Sequence, residues 1–100
     1  MNSKVFKIKR VDITEDKMLP HNKAYIEDGK IVYVSRGSSS CPPIIENVEQ
    51  TGNEIHLTTK DYTGMICTRD LSPVKQIITY DDGTIIPEHV KIFLDGKQQN

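Results

Sequence analysis

The sequence predicts an all-β protein, either an antiparallel β-sandwich of immunoglobulin-like type or a small barrel, with six to seven short strands. Apolar residues recur with a period of two rather than 3.6, and no long amphipathic helix is present. Asp-Gly pairs follow β-branched or aromatic runs, as hairpin turns with positive φ require. We expect a single β domain over residues 1–96 and a flexible tail over 97–100.

The first half of this pattern contains an edge strand and a hairpin. Residues 5–11 predict an edge strand with Phe6 and Ile8 facing inward, since its lysines would discourage edge-to-edge pairing. Residues 14–19 predict one helical turn. Strands over residues 24–27 and 30–34 are joined by Asp28-Gly29, which predicts a type I′ hairpin.

The second half contains another hairpin and three further strands. Residues 44–49 and 54–59 flank a turn at Thr51-Gly52-Asn53, and alternation places Ile44, Glu46 and Val48 on one side. Short strands are predicted at 64–67, 74–80 and 89–94, and Asp95-Gly96 ends the last of them.

Composition argues against a nucleic-acid partner, a membrane-spanning segment and an N-terminal signal peptide. The net charge is −1 and only 6% of residues are aromatic, so we expect no nucleic-acid partner. No apolar run approaches the ~18 residues of a membrane span. Residues 1–10 lack the apolar core of a signal peptide. These features fit either a cytosolic protein or the mature form of an exported one.

No residue pattern predicts catalysis, a metal site or a cofactor. No motif places His21, His56 or His89 beside a cysteine as a catalytic base, and the cysteines and histidines lack zinc-ligand spacing. The acidic turns fit turn chemistry better than calcium binding. We therefore expect no catalytic residue, no metal and no cofactor.

Two cysteines lie in turn-rich clusters flanked by Ser, Thr and Pro. This placement favours a disulfide between Cys41 and Cys67, although two free buried thiols are the alternative. A bridge would close a loop of about 25 residues and stabilise the fold by roughly 3.5 kcal/mol.

The same clusters are our candidate binding surface. A bridge would bring together residues of both loops, and the arginines would offer fixed charge to an anionic ligand. The alternative is that Asp70 caps a turn and Arg69 is solvated. The candidate binding residues are Arg36, Ser38, Ser39, Ser40, Arg69 and Asp70.

The stretch 38–42 (SSSCP) followed by 67–71 (CTRDL) resembles a motif pair in small secreted proteins and lipoproteins of Gram-positive bacteria. The resemblance covers roughly residues 31–80. It implies export to the extracellular side of the bacterial cell membrane, lipid anchoring through a cysteine upstream of this chain, and a Cys41–Cys67 bridge. It implies no known activity.

We therefore expect a monomeric, non-catalytic extracellular binding module that recognises an unknown protein or a small anionic ligand. Two alternatives stay open, a cysteine-dependent enzyme or redox protein and a purely structural accessory of the cell envelope.

Overall fold

Two four-stranded sheets pack face to face in the computed structural model, which describes residues 5–11, 23–70 and 72–100. The all-β prediction is confirmed, and the architecture is a small β-sandwich without helix in the described ranges. The predicted helical turn at 14–19 lies outside these residues. The strands are β1 (Phe6–Val11), β2 (Lys23–Glu27), β3 (Lys30–Gly37), β4 (Ile45–Thr51), β5 (Glu54–Thr59), β6 (Ser72–Tyr80), β7 (Lys91–Leu94) and β8 (Lys97–Gln98).

The first sheet is antiparallel throughout and has the order β1-β6-β3-β2. In the immunoglobulin order, by contrast, the first and second strands are neighbours. Strand β1 is at the edge, as predicted, and its Phe6 and Ile8 pack against the core. The β2–β3 hairpin is confirmed, because Asp28 and Gly29 both have positive φ, 52° and 75°.

The second sheet has the order β4-β5-β7-β8 and contains one parallel pair, β5 with β7. Parallel neighbours require a crossover connection. Here the chain leaves the second sheet after β5, forms β6 in the first sheet, and returns as β7. Local periodicity could not predict this pairing, since a strand pattern carries no information on the direction of its neighbour.

A β-bulge changes the pattern of β4. Alternation placed Ile44, Glu46 and Val48 on one side, but the register shifts between Ile45 and Asn47. A bulge adds one residue to one strand, so the two sides exchange at that point. As a result Ile45 is buried at 3% exposure and Val48 packs against the core beside it.

Two segments differ from the sequence prediction. Residues 64–67 form part of an irregular loop instead of a strand. The last four residues, expected to be a loose tail, begin as β8 and hydrogen-bond to both sheets. Asn100 accepts from Ile92 N and donates to Val90 O, while Gln99 Oε1 accepts from Ala24 N of β2.

The core lies between the sheets and is built from both. Its buried members include Ala24, Ile31, Tyr33, Ile45, Ile55, Leu57, Val74, Ile78, Tyr80, Ile86, Val90, Ile92 and Leu94. The buried side chain of Gln76 hydrogen-bonds across the interface between the sheets. Gln76 of β6 accepts a hydrogen bond from Ile45 N at 2.6 Å and donates to Ile45 O at 3.4 Å. The side-chain amide of Gln76 thus satisfies both backbone hydrogen-bonding groups of Ile45 at the bulge of β4.

Candidate functional site

A disulfide joins the two loops at one end of the sandwich. Cys41 and Cys67 are bonded, with their Cα atoms 5.5 Å apart, which confirms the predicted bridge. We call residues 38–43 and 60–70 the cystine loops. The first leads from β3 toward β4 and the second leads from β5 toward β6, so the bond fastens two connections between the sheets.

Hydroxyl groups of the cystine loops form a compact hydrogen-bonded cluster around Thr68. Its Oγ1 lies 2.7 Å from Ser38 Oγ and 3.3 Å from Ser39 Oγ, and its backbone N–H donates to Ser40 Oγ at 2.9 Å. The three predicted serines are thus brought to the second loop. Thr68 was missed as the centre of the cluster, although its hydroxyl directly after Cys67 was a usable signal.

Asp70 completes this cluster from the side of β6. Its carboxylate accepts hydrogen bonds from Ser39 N at 3.1 Å, from Thr68 Oγ1, and from Ser72 Oγ at 3.0 Å. The Thr68 hydroxyl, followed by the Ser39 contacts, holds the pKa of this carboxyl well below its usual range. Asp70 therefore remains an ionised acceptor throughout the neutral and mildly acidic range.

Two tyrosines fix the proline segment that follows Cys41. The hydroxyl of Tyr33 donates to Pro43 O at 2.7 Å, and the hydroxyl of Tyr62 donates to Pro42 O at 2.7 Å. Burial raises the pKa of Tyr33 above 10, so its hydroxyl stays protonated and able to donate. The first cystine loop is thereby anchored by Tyr33 to the core and by Tyr62 to the second cystine loop.

The two arginines of the predicted surface have different settings. Arg69 is exposed in the second cystine loop. Arg36 is half-buried on β3, where it stands opposite Pro73 of β6. The serines and Asp70 therefore form one cluster, whereas Arg36 belongs to the adjoining strand.

The second cystine loop also exposes two apolar side chains that the sequence analysis did not single out. Ile66 is 97% exposed and Met65 is 58% exposed, immediately before Cys67. Their joint exposure was not expected from the predicted strand at 64–67, because a strand of a sandwich would bury one of two adjacent residues. Their position between Gly64 and a cysteine in a turn-rich cluster was the available signal.

Comparison with known proteins finds no family model, curated protein or solved structure that matches the chain. Within the described residues, no helix is long and apolar enough to cross a membrane. No group of three or more His, Cys, Asp or Glu side chains in these same ranges is arranged to hold a metal ion. A disulfide is compatible with an extracellular location.

Proposed function

We propose that the protein is a non-catalytic extracellular interaction module, and that the second cystine loop carries its contact surface for a partner protein. The observation that supports this proposal is the exposure of Ile66 and Met65 on a loop fastened by a disulfide. An apolar pair held in water is unfavourable, and Met is enriched in protein interfaces. Arg69 lies three residues farther along the same exposed loop and adds a charged group beside the apolar pair.

The rigidity of the loops favours such a role. Binding loses free energy when it must order mobile side chains and loops, so a surface fixed beforehand binds better. The Cys41–Cys67 bond, the Thr68 cluster and the two tyrosine–proline contacts all limit movement of the cystine loops. The same features leave Met65 and Ile66 outward.

The cluster favours a protein partner over a small anionic ligand at this surface. The hydroxyls of Ser38, Ser39 and Ser40 already contact Thr68, and the ionised Asp70 adds negative charge at the centre. An anion placed there would displace these hydrogen bonds and approach a carboxylate. Arg69 is then better suited to an acidic side chain on the rim of a protein interface.

Site-specific photo-crosslinking on whole cells tests the proposed surface. A benzophenone amino acid at position 66 should capture one discrete partner. The same probe at position 5 should not, because Val5 is also exposed (63%) but directly precedes β1, outside the cystine loops. Added wild-type protein should suppress the adduct. Met65→Ser/Ile66→Ser should compete at least tenfold less well, since two buried apolar anchors would be lost. Equal competition by this variant, or the same adduct from position 5, would contradict the proposal.

The extracellular setting and lipid anchor follow from the motif resemblance and remain part of the proposal. Mass spectrometry of the native N-terminal peptide should find a diacylglyceryl-modified cysteine. The enzyme or redox alternative requires at least one reactive thiol in the native protein. A thiol titration of the folded protein that gives zero reactive groups would count against it, and one that gives one or two would favour it. A structural accessory would give a cross-linked partner that depends on other surfaces.

A further inference from the structure

Cationic side chains gather on the outer face of the first sheet, away from the cystine loops. Lys7 and Lys9 alternate on β1 with the inward residues Phe6 and Ile8. In register with them on β6 are Thr79 and Ile77, whose neighbours Ile78 and Tyr80 face the core. A groove of about 520 Å³ opens here, and its lining includes Lys7, Lys9, Arg10, Lys30, Ile77 and Thr79. We call these six residues the lysine groove.

The cationic groups of the lysine groove form no ion pair within the described part of the chain, although Glu27 stands opposite Lys30 in the β2–β3 register. In residues 5–11, 23–70 and 72–100 no carboxylate lies within 4.0 Å of its four cationic groups, and no described residue of its lining is acidic. The strands of the first sheet carry seven Lys or Arg side chains and one Glu, whereas those of the second sheet carry two Lys and three Glu. A net charge of −1 therefore conceals a separation of charge between the two sheets.

The register spaces these cations for more than one anionic group. Residues two apart on a strand lie about 7 Å from each other, which is the separation of Lys7 and Lys9 along β1. Lys30 precedes Ile31, which pairs with Ile78, so Lys30 flanks Thr79 from the other side of β6. One strand intervenes between Lys7 and Lys30, which places their backbones about 10 Å apart. The Thr79 hydroxyl lies between them as a neutral donor.

We propose that the lysine groove binds a linear anionic polymer, other than a nucleic acid, that carries phosphate or sulfate groups along its length. The described lining of the groove contains no aromatic ring on which a base could stack. Tetrahedral oxyanions accept several hydrogen bonds from ammonium and hydroxyl donors, and a chain can place successive groups at Lys9, Lys7 and Lys30. The apolar side chain of Ile77 forms part of the lining beneath the backbone of such a chain. This ligand site is separate from the proposed protein contact of the cystine loops and does not depend on it.

Calorimetric titration of the folded protein at low ionic strength tests this site. The probes are inorganic polyphosphate and a heparin oligosaccharide, which distinguish phosphate from sulfate, with orthophosphate as the single-group comparison. Lys7→Gln/Lys30→Gln should weaken binding of the preferred polymer roughly fivefold to tenfold. Lys91→Gln/Lys97→Gln removes the same charge from exposed positions of the second sheet and should leave binding unchanged. Thr79→Val should weaken binding about twofold to fivefold through the lost donor.

Several outcomes would overturn the proposal. It would fail if neither polymer bound, or if the second-sheet control lost as much affinity as Lys7→Gln/Lys30→Gln. It would also fail if orthophosphate bound as tightly as the polymers, because the groove would then not recognise a chain. Binding of phosphatidylglycerol–phosphatidylcholine vesicles without binding of either polymer would identify the groove as a membrane-binding surface instead. Circular dichroism of each variant confirms that the fold is retained before affinities are compared.

Discussion

The hydrogen bonds between Gln76 and Ile45 give the sharpest test of what holds the two packed sheets together. Gln76 is 4% exposed and Ile45 is 3% exposed, so water cannot replace a lost partner. In Gln76→Met the side chain keeps its length and approximate volume, while Ile45 loses the acceptor for its N–H and a weaker donor to its carbonyl. A buried polar group left without a partner costs about 1–3 kcal/mol. We expect the free energy of unfolding to fall by about 2–4 kcal/mol, most of it from the N–H group.

Urea denaturation at pH 7 measures this change, and Gln76→Glu provides a second readout. Glutamate retains an acceptor oxygen for Ile45 N, but burial raises its pKa in the folded state. The folded protein then binds the proton more tightly than the unfolded chain, so stability is present below the unfolded pKa of about 4.3 and is lost as pH rises. Gln76→Glu should therefore approach wild-type stability in acid and fall below it at neutral pH.

Two results would refute this reasoning about Gln76. If Gln76→Met loses less than about 0.5 kcal/mol, the contact at the bulge contributes nothing beyond an ordinary surface substitution. If the stability difference between Gln76→Glu and wild type does not change with pH, position 76 is not desolvated in solution. The dependence of unfolding on urea concentration should keep its slope in both variants, since the buried area is unchanged.

Three further predictions concern the bridge, a tyrosine and a turn. Reduction of Cys41–Cys67 should lower stability by about 3.5 kcal/mol, since their separation is 26 residues, and denaturing alkylation without reductant should add no mass. Tyr33→Phe should cost about 1–3 kcal/mol at neutral pH. The free energy of unfolding of Tyr33→Phe should also change less with pH above about 10 than that of the wild type. The raised pKa of Tyr33 makes wild-type stability decline in that range. Gly29→Ala should cost about 1–3 kcal/mol more in thermal unfolding than Gly52→Ala. Both have positive φ, but of these two positions only Gly29 would bring the added Cβ against another side chain, that of Ile85.

Sequence patterns predicted the parts of the fold that depend on neighbours in the chain. Alternation and the Asp28-Gly29 pair are local signals, and they identified the first hairpin with its turn type. The bulge at Ile45 could not be found this way, because it is a feature of the pairing with β5 and its backbone contacts the distant side chain of Gln76. The parallel β5–β7 pair and the packing of Gln99 and Asn100 also depend on contacts between segments far apart in the chain.

The sequence predicted which segments of the candidate site lie close together, because the two cysteines determine that arrangement. Once Cys41 and Cys67 are bonded, their neighbours must lie close together, so the juxtaposition of Ser38–Ser40 with Asp70 followed from the bridge alone. The role of each residue depended on local geometry that spacing does not contain. The serines turn toward Thr68, and Ile66 turns outward, because the second cystine loop is irregular rather than a strand.

Strand β6 joins the two proposed surfaces and also keeps them independent. Ser72 at its beginning donates to Asp70 in the cystine loops, and Thr79 near its end lines the lysine groove. Seven residues of strand span about 23 Å, more than twice the Debye length of about 8–10 Å at physiological ionic strength. Charges at one end therefore interact weakly with charges at the other, and substitutions so far apart are expected to act additively. A polymer in the lysine groove would leave Met65 and Ile66 free for a protein partner, so both ligands could be held by one domain at the same time.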